Sequence, residues 1–237
     1  FLAFSFLCSA IYILNDILDV DKDRNHSIKK RIKPIASGNI SLKSAKIFLG
    51  LVVIILILFF LFADVFEIHF IAYFLTAILY NLILKKVFFF DVIILSIGYI
   101  IRLDLGSTVI GVQTSINLLL CVVSLIFFIL FIKRFVELSN EQNTRSSLKH
   151  YNPTLLFYLI QFSAIFFLGT CIYFILYENN LLIFSFPFLA YNIYRYYNIS
   201  IFKKLGEFPI DVVIKDKILL LNTFLISIII IIVYVFY

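Results

Sequence analysis

The chain has 237 residues, of which 63% are hydrophobic and only 14% charged, and its mean hydropathy is +1.08. A soluble domain is about half apolar and about a quarter charged, so an ordinary soluble protein and a disordered chain are both excluded. The formal net charge is +6, from 20 Lys and Arg against 14 Asp and Glu. In so apolar a chain that excess points to membrane orientation rather than to nucleic acid.

The first apolar run, 1–14, is too short to cross a bilayer. There is no Met in the chain, and Phe1-Leu2-Ala3-Phe4 already lies inside the run. The expectation is the second half of a helix, with about one and a half helices upstream of Phe1. No basic region or small-residue cleavage site precedes the run in this sequence, so the run is not expected to be a cleaved signal peptide. Further apolar segments follow at 45–63, 68–84, 92–111, 115–132, 154–176, 180–198 and 217–237. A spanning helix takes about 20 apolar residues. Most of these segments are dense in Ile, Leu and Phe on all faces without period-2 alternation, which predicts lipid-embedded helices rather than barrel strands.

The connecting stretches alternate. Residues 15–44, 133–153 and 199–216 read as long charged loops, and Lys85 and Lys86 mark a further boundary. The stretches at 64–67, 112–115 and 177–180 are short and lack Lys and Arg. All basic residues except Arg102 and Arg195 fall in or beside the basic loops, which the positive-inside rule places in the cytoplasm. Cys8, Cys121 and Cys171 lie inside apolar stretches without metal spacing and read as small buried hydrophobes.

Where the first helix leaves the membrane come Asn15, Asp16, Asp19, Asp21 and Asp23. On a continuous helix Asn15, Asp19 and Asp23 stack along one face. Carboxylates on one stripe repel unless a cation lies between them, and acids at a helix C-terminus oppose its dipole. Oxygen-only donors suit Mg²⁺, which binds substrate phosphates through one or two carboxylates. An EF-hand is excluded, because the required Gly and Glu are absent. A basic run follows, Arg24-Asn25-His26-Ser27-Ile28-Lys29-Lys30-Arg31-Ile32-Lys33-Pro34. Cations beside a metal-holding acid cluster make a site for a phosphorylated substrate. His26 reads as a loop histidine, and Ser41 as the N-cap of the next helix.

The segment Asn15-Asp16-Ile17-Leu18-Asp19-Val20-Asp21-Lys22-Asp23 matches NDxxDxxxD, and Pro34-Ile35-Ala36-Ser37-Gly38 matches the stretch that follows that motif in the UbiA superfamily of intramembrane prenyltransferases. The chain resembles most the decaprenyl-phosphate phosphoribosyltransferase branch. That likeness is carried by Tyr80, Lys85 and Asp91, by Gly98-Tyr99-Ile100-Ile101-Arg102 with Gly106, by Lys133-Arg134-Phe135-Val136-Glu137, and by Pro209-Ile210-Asp211 with Asp216. Three departures stand out. Ser27 takes the place of the proline usual after the histidine, and the loop is one residue longer before Pro34. Glu137 and Glu141 replace the second Asp-rich motif of aromatic prenyltransferases. The resemblance implies an all-α polytopic membrane helix bundle forming a single transmembrane domain over 1–237. Nine helices are expected in the full protein, with about seven and a half present here.

Arg102 and Asp104 lie halfway along 92–111, and charges at that depth rarely face lipid. Two residues apart on a helix, they do not face each other unless Gly98 and Gly106 break it. Arg102 is expected to face a cavity and hold a phosphate. Lys85 reads either as a phosphate ligand or as a snorkelling lysine, and Asp91 either as a second metal ligand or as a helix N-cap.

The expected function is transfer of a 5-phosphoribosyl group from phosphoribosyl diphosphate to a polyprenyl phosphate, with Mg²⁺, for cell-envelope glycan precursors. Asp19, Asp23 and Arg102 are the catalytic candidates, with Asn15, Asp19 and Asp23 as metal ligands. Arg24, Lys29, Tyr80, Lys85, Asp91, Lys133, Arg134 and Glu137 are the substrate-binding candidates. The expected setting is a bacterial inner membrane with the active-site loops cytoplasmic. Nucleic acid is not expected as a partner, and a homo-oligomer is compatible with the sequence. The rivals are an aromatic prenyltransferase using a polyprenyl diphosphate, and a transporter or scaffold without catalysis.

Overall fold

A computed structural model describes residues 1–26, 29–62, 68–139 and 151–236. Ser27, Glu141 and the side chain of Lys29 lie outside the described residues, as do Asp64, Glu67, Arg145 and Lys149. The described residues form eleven α-helices and no strand. They are α1 (Leu2–Leu18), α2 (Val20–Arg24), α3 (Lys29–Ile32), α4 (Leu42–Phe62), α5 (Ile68–Leu82), α6 (Phe90–Val109), α7 (Ile116–Ser139), α8 (Pro153–Glu178), α9 (Phe186–Phe202), α10 (Pro209–Lys215) and α11 (Lys217–Phe236). Each apolar segment becomes a helix because a lipid-embedded backbone must satisfy its own hydrogen bonds. By length and composition α4, α6, α7, α8 and α11 are long and apolar enough to cross a membrane. The protein is an all-α integral membrane protein.

Several boundaries differ from expectation. The face carrying Asn15, Asp19 and Asp23 is not on one continuous helix. The chain turns at Asp19 (φ −99°, ψ 7°), which divides α1 from α2. The i to i+4 hydrogen bonds from Asp19 N to Asn15 O and from Asp23 N to Asp19 O survive, each at 2.9 Å. Lys133, Arg134 and Glu137 lie on α7 rather than in a loop. Lys, Arg and Glu are good helix formers, so the helix runs on past the apolar stretch. The segment from 180 starts as a 3₁₀ turn, Asn180–Ser185, and becomes α9 where Pro187, which has no N–H to lose, falls in the first turn.

The described chain forms two compact units. In the first, Phe1–Val109, α1 packs against α4 and α5, and α5 against α6. Its core joins Ala3, Leu7, Ile11, Leu56, Phe70, Tyr73 and Leu105. Phe70 meets Phe4 and Phe60 at ring distances of 5.6 and 5.0 Å. The rest of α4 exposes Leu51, Ile54, Leu58 and Leu61, a helix apolar all round as lipid requires. Ser41 caps α4, its Oγ accepting from Ser44 N at 3.0 Å, as expected.

In the second unit, from Ile110 onward, α7 packs along α8, and α9 along α11. Cys121 and Cys171 are buried with Phe167, as the sequence implied, and Ser124 bonds Thr170 across the α7–α8 seam at 3.1 Å. Gly206 seats the chain after α9 against α7. A Cβ there would lie 2.9 Å from Ile132 Cγ2 and 3.1 Å from Val136 Cγ2.

Candidate active site

The acidic cluster of the first unit is built by a local fold-back. Val20 of α2 packs with Ile17, Ile35 and Ala45, so the Pro34–Gly38 stretch lies against α2. Gly38 ends that stretch with φ +85°, a left-handed conformation that suits glycine. The fold-back carries Lys33 to the acids. Its Nζ lies 2.7 Å from Asp16 Oδ1 and 2.7 Å from Asp23 Oδ2. Asp23 is only 6% exposed. Burial opposes the charge on Lys33, but the hydrogen bonds and charges of the two carboxylates outweigh it and raise the ammonium above the ordinary lysine value.

Asp19 is gripped from elsewhere. A 3₁₀ turn, Leu84–Lys86, follows α5, and the buried Lys85 places its Nζ 2.7 Å from both oxygens of Asp19. Lys22 lies farther off, 3.7 Å from Asp19. Three carboxylates thus meet two close ammonium groups. Arg24 points to the surface, 4.0 Å from the exposed Asp21. Asp91 is not the N-cap of α6. That helix starts at Phe90, so Asp91 is fully buried in its first turn, where its charge favours the helix dipole. His26 is buried beside the cluster, its backbone N–H bonded to Asp23 O.

Asn15 leads from the cluster into a cavity of about 140 Å³ between α1, α5 and α6. Its polar lining is Tyr12, Asn15, Thr76, Tyr80, Asn81 and Arg102, beside Tyr73 and Tyr99. The helix α6 is unbroken at Gly98 and Gly106, so Arg102 and Asp104 take separate partners. Asp104 Oδ2 bonds His69 Nε2 at 2.9 Å. Arg102 faces the cavity as expected. Its guanidinium donates to Tyr73 Oη and stands 4.9 Å from the Tyr73 ring centre and 5.2 Å from that of Tyr99. Cation–π contacts of this kind hold the guanidinium plane without consuming all its donors.

The second unit carries the remaining candidates. Arg134 is fully buried on α7, and its guanidinium donates to the carboxylate of Glu137 one turn on. Lys133 is half-buried beside it.

The donor chemistry of the acidic cluster suits a hard divalent cation. Asp16 and Asp23 both touch one nitrogen, so their oxygens lie within bridging reach of a single ion, and every donor is oxygen. Among the described residues no three His, Cys, Asp or Glu side chains stand close enough together to hold a metal ion. Lys33 and Lys85 hold the carboxylates in their place.

Sequence reasoning named Asp16 in the acidic cluster and Lys33 in the basic run without giving either a role of its own, and did not nominate Asn81 or Tyr73. No local pattern marks Lys33 among its basic neighbours. Asn81 did leave a signal, a polar amide in an otherwise apolar span.

Comparison with known proteins adds a direct likeness. Residues 1–204 match the model of the UbiA prenyltransferase family. The chain is 31% identical over 163 residues to a decaprenyl-phosphate phosphoribosyltransferase of Corynebacterium glutamicum, covering 66% of this chain and 49% of that one. It is 31% identical over 170 residues to a protein of the same name from Mycolicibacterium smegmatis, covering 69% and 53%. It is also 32% identical over 155 residues to an uncharacterised protein of Sinorhizobium fredii, covering 61% and 29%. The chain spans about half the length of the two phosphoribosyltransferases it matches. With its acidic signature, its tyrosine-lined cavity and a match over residues 1–204, the chain belongs to the UbiA prenyltransferase family.

Proposed function

We propose that the protein transfers a 5-phosphoribosyl group from phosphoribosyl diphosphate to a polyprenyl phosphate, in the plane of a bacterial plasma membrane, with its acidic cluster facing the cytoplasm. The observation that carries this reading is that α1 joins an oxygen-rich acidic cluster at its end to a cavity lined by α1, α5 and α6 that contains Arg102. An anionic donor has a metal-type site at one end and a guanidinium at the other. The two relatives named decaprenyl-phosphate phosphoribosyltransferase support the choice of donor and acceptor.

Family members generally use a divalent metal, and here Asn15, Asp19 and Asp23 would hold Mg²⁺. When bound, Mg²⁺ supplies neutralisation of the diphosphate and stabilises its departure. The chain's own residues do the rest. Lys33 and Lys85 release carboxylates as the donor enters and turn their ammonium groups to phosphate oxygens. Arg102, fixed by Tyr73 and Tyr99, holds a phosphate of the donor. Lys133, Arg134 and Glu137 belong to the machinery that binds the phosphorylated substrates, as do Arg24, Lys29, Tyr80 and Asp91.

An oxygen of the lipid phosphate attacks the anomeric carbon. A carbon–oxygen bond forms there as the bond to the diphosphate oxygen breaks, and the diphosphate leaves with the electron pair. The lipid phosphate is already anionic, so no general base is needed. An apolar cavity of about 320 Å³ between α1, α4 and α5, walled by Leu7, Val53, Phe60 and Phe74, suits part of an isoprenoid tail. The product is a lipid-borne sugar phosphate of the kind that feeds envelope glycans.

The test uses membranes containing the full-length protein, labelled phosphoribosyl diphosphate, decaprenyl phosphate and Mg²⁺. The expected result is a labelled lipid that disappears when the metal is chelated. No labelled lipid, together with consumption of a polyprenyl diphosphate and an aromatic acceptor, overturns the reading.

A further inference from the structure

The apolar cavity between α1, α4 and α5 has a direction. Its lining carries no polar side chain among the described residues. It begins at Leu14 of α1, which immediately precedes Asn15, and at Leu49 of α4. It ends at Phe60 and Phe70, whose rings meet at 5.0 Å. From Leu49 to Phe60 the helix rises about 16 Å. Val53, Ile71 and Phe74 form the open side, each about two-fifths exposed. A groove without a hydrogen-bonding side chain takes hydrocarbon. It rejects a sugar or a diphosphate, which would lose its hydration there unpaired.

The mouth of the groove is charged. On α4, Leu49, Val53, Leu56 and Phe60 form one stripe at the three- and four-residue spacing of a helix face. Lys46 lies one turn before Leu49 and two turns before Val53 on that side of the helix. It is exposed and has no ion pair among the described residues. Its neighbour Ala45 is buried against Val20 of α2 and Ile35 of the fold-back. Val20 adjoins Asp19, so the start of α4 stands where the groove and the acidic cluster meet.

This arrangement fits an anionic head on a long hydrocarbon chain. We propose that Lys46 holds the phosphate of the polyprenyl acceptor at the mouth of the groove, with the first isoprene units laid toward Phe60 and the donor kept apart in the Arg102 cavity. This inference rests on the functional reading above. The rest of the chain leaves over Val53, Ile71 and Phe74 into the bilayer. A lysine suits the task, because its ammonium on a flexible stem can follow the phosphate as it moves to the anomeric carbon.

The experiment measures kcat and both KM values of the full-length protein with phosphoribosyl diphosphate and decaprenyl phosphate. It is run in nanodiscs of neutral phosphatidylcholine and again in nanodiscs containing anionic phosphatidylglycerol. Lys46→Gln is expected to raise the acceptor KM about fivefold, the upper range for an exposed charge pair. Lys46→Arg should restore most of it. Val53→Trp fills the groove and should raise the acceptor KM roughly tenfold, with Leu49→Trp as the second variant should the first fail to insert. The donor KM is expected to stay unchanged in all of them. An unchanged acceptor KM in Lys46→Gln or in the groove variants overturns the inference, as does a donor KM that rises equally. A Lys46→Gln effect confined to the anionic nanodiscs assigns Lys46 to bulk phospholipid and overturns it too. Each of these outcomes leaves the functional reading intact. A wild type that transfers no phosphoribosyl group defeats that reading itself, and this inference with it.

Discussion

Lys85 Nζ lies 2.7 Å from both carboxylate oxygens of Asp19, although the two residues are 66 positions apart. The pair joins the turn after α5 to the break between α1 and α2, and it places one ammonium on the central acid of the signature. A lysine that only marked membrane orientation would have no reason to be buried on a carboxylate.

Asp19→Asn is expected to lower turnover about 100- to 1000-fold, the range for losing one preorganised charged group. The variant should still insert and elute as the wild type does in detergent. Lys85→Met leaves Asp19 without its close cation and should lower stability by about 1.5–3 kcal/mol. Lys85→Met combined with Asp19→Leu should cost less than the sum. Thermal unfolding of the purified variants measures both.

Lys33 clasps Asp16 and Asp23, and Asp23 is one of the proposed metal ligands. Removing it with Lys33→Met should tighten Mn²⁺ binding to the substrate-free protein by roughly tenfold, in line with one lost competing charge pair. The same variant should raise KM for the phosphorylated donor. Mn²⁺ titration by electron paramagnetic resonance and donor kinetics check the two arms, and weaker Mn²⁺ binding would contradict the competition.

Arg102 is held by two tyrosine rings and one tyrosine hydroxyl. Arg102→Lys keeps the charge but loses the planar fork, so donor KM should rise about tenfold and activity should fall further in Arg102→Ala. Tyr73→Phe removes only the hydroxyl contact and should cost only a few-fold. Steady-state kinetics over donor concentration separate the three.

In the second unit, Asp216 accepts from Arg195 Nε and Nη2 at 2.7 and 2.9 Å, and from Leu219 N at 2.9 Å as the cap of α11. The Arg195 guanidinium holds the Asp216 carboxyl below its ordinary value. A depressed carboxyl pKa contributes stability above the unfolded value, and that contribution is lost as pH falls through the folded value. Asp216→Asn should therefore melt at a lower temperature than the wild type at pH 7. The gap should narrow as pH falls below about 4, the ordinary aspartate value. Melting curves across that range decide it.

Gly206 leaves no space for a side chain between α7 and the end of α9. Gly206→Ala should destabilise the protein by about 1–3 kcal/mol through overpacking, while the metal titration of the acidic cluster stays unchanged.

The amino-acid sequence by itself determined the membrane helices and the side on which charge gathers. Both follow from run length and from the need of a lipid-embedded backbone to bond within its own segment. It also marked Asn15, Asp19, Asp23 and Arg102, because polar and charged side chains at a helix end or at bilayer depth are conspicuous without any partner. Only the tertiary structure decided which cation meets which acid. Lys33 reaches Asp16 and Asp23 through the Pro34–Gly38 fold-back, and Lys85 reaches Asp19 from another helix. It likewise turned Arg102 toward Tyr73 and Asp104 toward His69. Such pairings depend on how distant segments close on one another, and a side chain's local pattern holds no record of what will stand opposite it.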